Sequence, residues 1–126
     1  MKVSAPPTIR AVTSLEEFKG LACEWEQLLT TVPGHSVFLT WEWVDYWSKH
    51  FLRDDQLRLL LAFDEHEHLI GIAPFYLHAT RKLGLIPVRE LRFLGSETVC
   101  SAYLDIIASE RDKRSVCRSL YRYLFN

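Results

Sequence analysis

No apolar run in this chain is long enough to cross a bilayer. The longest, Leu69 to Leu77, has nine residues, against roughly 18 for a spanning helix. The opening residues, with Pro6-Pro7, hold no apolar core of the signal-peptide kind. Neither membrane insertion nor secretion is therefore expected. A surplus of cation is missing as well. Fifteen Lys and Arg face sixteen Asp and Glu, for a net charge of -1. A general nucleic-acid binder needs excess positive charge to displace counterions from phosphate, so that class is not expected. Cysteine is scarce: Cys23, Cys100 and Cys117 are odd in number and far apart. That spacing is neither a disulfide framework nor a zinc pattern. Reduced thiols in a cytoplasmic chain, with no metal, are the expectation. Internal repeats and low-complexity tracts are absent too.

What is present is an ordinary globular composition, 48% hydrophobic and 25% charged. Seven Phe, five Tyr and four Trp carry more aromatic surface than a disordered segment would. At 126 residues the chain is one small domain or part of a larger one. Residues 1–7 read as a flexible leader and residues 8–126 as the domain.

Thr8 to Val12 alternates weakly, as a short strand would. Ser14-Leu15-Glu16-Glu17 fits a capping box, and Leu15, Phe18, Ala22, Trp25 and Leu29 follow at helical spacing. The pattern predicts one helix over Ser14 to Thr30, stopped by Val32-Pro33-Gly34. A second helix is predicted from Thr40 to Phe51. Gln56 to Phe63 reads as a buried strand, Asp64 to Glu67 as a polar turn, and His68 to Leu77 as the returning strand of an antiparallel hairpin. Gly71 and Pro74 interrupt that second strand, so a bulge or an edge position is expected there. Arg81 to Pro87 reads as a basic loop, Arg89 to Leu94 and Tyr103 to Ala108 as strands, and Asp112 to Leu124 as a third helix. The order implies an α+β (mixed α/β) domain with a mostly antiparallel sheet and three helices. No return strand follows the last helix. An uncovered part of the sheet, and hence self-association, is expected.

The second helix holds Trp41, Trp43 and Trp47 within seven residues. Such a cluster suits core packing, and it also suits one wall of a ligand groove. Trp43 and Trp47 lie one turn apart. Trp41 is about 200° from Trp43 by the helical period, so with Trp47 in the core Trp41 is expected to face solvent or a groove. Glu42, Asp45, Tyr103 and Asp105 are polar groups able to stand near that groove. Trp41, Trp43, Tyr103 and Asp105 are the substrate-binding candidates. Arg111, Arg114, Arg118 and Arg122 form one stripe of the last helix, either a solvated face or a dock for an anion. His66 and His68 share a face if extended, but a metal would need a third ligand.

Four clusters in order resemble a known family. They are Phe38-Leu39-Thr40-Trp41-Glu42-Trp43 with Trp47, Gly71-Ile72-Ala73-Pro74-Phe75-Tyr76, Arg92-Phe93-Leu94-Gly95, and Tyr103-Leu104-Asp105-Ile106-Ile107. Over about Thr8 to Leu124 the chain is similar to the N-terminal half of the cellulose-biosynthesis acetyltransferases. These are a branch of the GNAT superfamily related to the Fem-type peptidyltransferases. Ala102 departs from the pattern, standing where the family usually has an acidic residue. The resemblance implies a GNAT-like partial domain of a cytoplasmic N-acyltransferase that uses acyl-CoA (acetyl-CoA). It also implies an amine acceptor on a sugar or amino acid, in a cellulose or exopolysaccharide setting. A C-terminal GNAT half, missing from this chain, would complete the enzyme. The family binds the CoA pyrophosphate on backbone amides at a glycine-bearing strand-to-helix junction. The equivalent junction here, Ala108 to Arg114, has no glycine and already carries Glu110 and Asp112. Acyl-CoA is therefore expected on the missing half, and this half to hold a small-molecule or saccharide substrate. The other readings are a non-catalytic binding module that uses the Trp helix, and a small acyltransferase completed by dimerisation.

Overall fold

The computed structural model describes residues 5–35, 37–53, 56–94 and 106–125. The fold is mixed α+β, and the described residues form one antiparallel sheet and four α-helices. Strand β1 (Thr8–Val12) is followed by helices α1 (Leu15–Lys19) and α2 (Ala22–Leu29), a 3-10 turn (Val37–Leu39) and helix α3 (Trp41–Phe51). Strands β2 (Leu57–Phe63), β3 (Leu69–Lys82) and β4 (Ile86–Phe93) come next, then β5 (Ile107–Ala108) and helix α4 (Glu110–Phe125). The sheet runs β1-β2-β3-β4, and β5 pairs with β3 beside β4.

The expected hairpin is present. β2 and β3 pair antiparallel from Leu57 opposite Tyr76 to Ala62 opposite Gly71. Phe63 then stands opposite Leu69, which leaves Ile70 as one extra residue beside Gly71, the bulge expected there. Pro74 sits opposite Leu59, and its carbonyl accepts from the Leu94 N–H at 2.7 Å on the other side. Its missing donor therefore points away from β2. It falls where β3 changes partners from β5, at Gly71 and Ile72, to β4, from Phe75 onward. A proline costs the ladder little in such a place.

β2 is buried on both faces. Leu57, Leu59 and Leu61 pack with Ile72, Tyr76 and the buried residues of α1, α2 and α3. Leu60 and Ala62 face the other way, with Ala73, Ala108 and the Val116 and Leu120 of α4. Gly71 sits under α4. A Cβ there would lie 2.5 Å from Val116 Cγ1 and 3.2 Å from the Ala62 Cβ. The missing side chain is what lets the helix approach the sheet.

Several segments differ from the sequence pattern. The helix expected over Ser14 to Thr30 is two helices. The cap is as expected, with Ser14 Oγ accepting from the Glu17 N–H. At Gly20 and Leu21, however, the bonds tighten to three-residue spacing, Gly20 N–H to Glu17 and Leu21 N–H to Phe18. The Phe18 carbonyl also accepts from the Trp41 indole N–H at 3.2 Å. A continuous helix would spend that carbonyl on Ala22. The one expected helix thus becomes two. The basic loop expected over Arg81 to Pro87 shrinks to Leu83-Gly84-Leu85, because Arg81 and Lys82 end β3 and Ile86 and Pro87 open β4. Leu83 and Gly84 take positive φ in that turn, 55° and 72°. Of the strand expected over Tyr103 to Ala108, Ile107–Ala108 is seen, and Tyr103 to Asp105 lie outside the described residues.

No described helix is long and apolar enough to cross a membrane. Large apolar side chains are nonetheless left in water. Leu83 and Leu85 at the β3–β4 tip are 90% and 83% exposed, and Tyr121 and Phe125 of α4 are also exposed.

Candidate functional site

Of the candidate substrate residues, only the tryptophans lie among the described residues; Tyr103 and Asp105 do not. Helix α3 begins at Thr40, whose hydroxyl oxygen accepts from the Trp43 N–H. That cap sets the phase of the helix, and Trp47 is buried against Tyr76, with ring centroids 5.1 Å apart. Trp41 is not left free in solvent. It stacks on Phe18 at 5.5 Å, is half-buried against the core, and gives its indole N–H to Phe18. The freed carbonyl at the α1–α2 break holds it there. Trp43 is half-buried and stacks on Tyr46, which is exposed. Among the described residues, two clefts, one along the last helix and one beside Glu24 to Thr31, have no Trp in their lining.

Across the same helices, two exposed carboxylates meet, Glu26 of α2 and Glu42 in the first turn of α3. Glu26 is held above the ordinary carboxylate range, chiefly by its hydrogen bond with Glu42 and then by the charge of Glu42. The same bond holds Glu42 below that range. The pair favours sharing one proton. The stabilisation due to Glu26 is complete in acid and fades as pH rises through its raised pKa. That due to Glu42 is complete above its unfolded pKa and fades as pH falls through its lowered one. The singly protonated pair is therefore best in the interval between them, which brackets the ordinary carboxylate range. Glu26→Gln can donate the bond at every pH. Thermal melts of that variant should show a higher midpoint than wild type at neutral pH and little of the gain that wild type shows on mild acidification.

The larger cleft lies on the other face of the sheet, along α4. Its volume is about 680 Å³, within the range of ligand sites in general. Arg111, Asp112, Ser115, Arg118, Ser119 and Arg122 line one wall, and the residues Asp64, Glu65 and His66 of the β2–β3 turn line another, with Ala5-Pro6-Pro7 and Ile70. The helical period puts Arg111, Ser115, Arg118 and Arg122 on one flank, while Val116 and Leu120 face the sheet. Arg114, from the same stripe, lies outside the cleft. Two features that are separate along the sequence, the arginine stripe and the His66 turn, are thus brought together.

The acids of this cleft are held in place. Asp64 accepts from the backbone N–H groups of His66 and His68, each at 2.9 Å. These bonds, that from His68 foremost, hold its carboxyl below the usual range. Asp112 lies in the first turn of α4. The Ser109 hydroxyl donates to Oδ2 of Asp112 at 3.1 Å and accepts from the Asp112 N–H. The helix N-terminus, where an anion would gain most from the dipole, is therefore flanked by the chain's own carboxylate. Arg111 reaches Asp112 at 3.4 Å. Among the described residues, Arg118 and Arg122 meet no acidic partner. The cleft offers fixed carboxylates near the start of α4 and two unneutralised guanidinium groups farther along.

Sequence reasoning missed this cleft because its walls are distant in the chain. The available signal was the arginine spacing, which marks a common flank without saying what that flank faces. Among the described residues, no three His, Cys, Asp or Glu side chains could hold a metal ion. Cys23 and Cys117 are free thiols. No family model, curated protein or solved structure matches the chain.

Proposed function

We propose that this chain is the GNAT-like N-terminal part of an acyl-CoA-dependent N-acyltransferase, and that its own task is to hold the amine acceptor. The observation that carries the reading is the sheet. Helices are inserted between β1 and β2, and Leu57–Phe63 and Leu69–Leu77 pair antiparallel in one sheet, as the resemblance requires. The absence of glycine at the β5–α4 junction, together with Asp112 and its Ser109 cap, supports placing the CoA pyrophosphate on another half of the enzyme. The α4 cleft has the mixed charge that an amino sugar or amino acid would meet. A protonated amine suits Asp64 and Asp112, and hydroxyl or anionic groups suit Arg118 and Arg122.

Acyl transfer from a thioester to an amine needs no protein nucleophile. The nitrogen attacks the carbonyl, the thiolate leaves, and a base or water path takes the proton. A chain that only holds the acceptor therefore needs no Ser or Cys machinery. A cellulose or exopolysaccharide setting for this acceptor, and a cytoplasmic location, belong to the same proposal. The test is calorimetric titration with glucosamine and with acetyl-CoA. Glucosamine should bind, acetyl-CoA should not, and Arg118→Ala combined with Arg122→Ala should weaken glucosamine binding at least ten-fold, on the order of the 1.4 kcal/mol that one charged hydrogen bond supplies. Binding of acetyl-CoA to this chain alone would overturn the division of labour.

A further inference from the structure

We propose that the outer edge of β4 pairs with β4 of a second copy of this chain, antiparallel, about a two-fold axis at Leu91. The inference is independent of the acyl-transfer reading and rests on backbone phase and charge.

Among the described residues, no strand pairs with the outer edge of β4. Its phase follows from one bond. The Leu94 N–H donates to Pro74 of β3, and the register continues with Phe93 opposite Phe75 and Arg92 opposite Tyr76. Backbone groups alternate sides along a strand. Arg92, Glu90 and Val88 therefore point theirs at β3, while Phe93, Leu91 and Arg89 point theirs outward. Pro87 shares the outward phase, so its missing N–H costs the β3 ladder nothing. The outward edge thus carries three consecutive donor–acceptor residues followed by a proline.

A two-fold axis through Leu91 uses all three. Leu91 pairs with Leu91 of the second copy, and Arg89 with Phe93, each pair exchanging two N–H···O bonds. An axis at Arg89 would set Arg89 against itself and bring Pro87, with no donor, opposite Leu91. An axis at Glu90 would put two glutamates face to face. Only the axis at Leu91 sets Glu90 opposite Arg92 twice. These two residues are already bonded within one strand at 2.8 Å, so four alternating charges would close into one network. On the α4 face, Leu91, 41% exposed, joins its partner residue Leu77 in a row of four leucines across the joined sheets. Arg89 comes beside the Phe93 ring, a cation–π pair. Open apolar edges of this kind are what a second copy of the same strand covers.

The test uses the fact that Leu91 would face itself. In sedimentation or light scattering the wild-type chain should have twice the 14.7 kDa monomer mass. Leu91→Lys and Leu91→Glu should each be monomeric, because each sets like charges on the axis. Mixing the two variants should restore the dimer. Hydrogen exchange on the wild type supplies a readout that needs no variant: the amides of Arg89, Leu91 and Phe93 should be protected, and dilution should release them together. A monomeric wild type would overturn the proposal. So would variants that stay dimeric, which would move association elsewhere, such as the Tyr121 and Phe125 face. A mixture that remains monomeric, or unprotected edge amides in a dimer, would equally remove the axis from Leu91.

Discussion

Replacing Trp25 by alanine should lower the stability of the fold by about 3–5 kcal/mol, as for other buried aromatics. Trp25 is 0% exposed. Its ring meets Phe18 edge-on at 5.7 Å, and its indole N–H donates to the Leu39 carbonyl at 2.8 Å. One side chain thus ties α2 to α1 and to the approach to α3. The bond can be separated from the packing by substitution to phenylalanine. Trp25→Phe leaves the Leu39 carbonyl buried without this donor and should cost roughly 1–3 kcal/mol for that alone. Trp47 is as deeply buried, but its indole N–H has no partner among the described residues. Trp47→Phe should therefore cost less than Trp25→Phe. Urea unfolding of the two variants measures the difference, and equal losses would show that the bond to Leu39 contributes little. Trp41→Ala, at a half-buried site, should fall below Trp25→Ala.

Gly71→Ala should cost about 1–3 kcal/mol, the usual penalty for forcing a methyl group into a filled site. The new Cβ would stand 2.5 Å from Val116. Val116 is β-branched on a helix and has almost no freedom at χ1, so relief requires α4 to lift from the sheet. Val116→Ala in the same chain removes the clash. The double variant should recover part of the loss relative to the sum of the single ones. Simple additivity would mean that the glycine is needed for some other reason.

The strands and most helix ends were legible because their signals are local. The leucine run of β2, the Asp64–Glu67 turn, the Thr40 start of α3 and the apolar stripe Val116, Leu120 and Leu124 each declare themselves within a few residues. The break at Gly20–Leu21 was not legible from local pattern. It is bound up with an indole 23 residues away, which takes the Phe18 carbonyl. The same contact half-buries Trp41, which helical phase alone pointed toward solvent or a groove. Arg81 to Pro87 resembled a loop because proline and glycine usually punctuate strands, yet the backbone nitrogen of Pro87 points away from β3, to an edge that no described strand pairs with, so its missing donor does the β3 ladder no harm. The cleft was hardest to read. Its cations were visible as a stripe, but the wall opposite them comes from a hairpin turn more than forty residues earlier.

The central claim is that this chain holds an amine acceptor along α4 and leaves acyl-CoA to another half. Backbone amide shifts during titration with glucosamine, and separately with acetyl-CoA, test it most directly. The account predicts that glucosamine moves the amides of Asp64 to His66, Ser115, Arg118, Ser119 and Arg122, while acetyl-CoA leaves those of Ser109 to Asp112 in place. Movement of the Ser109 to Asp112 amides by acetyl-CoA, or glucosamine shifts gathered around Trp41 and Trp43 with none along α4, would contradict it.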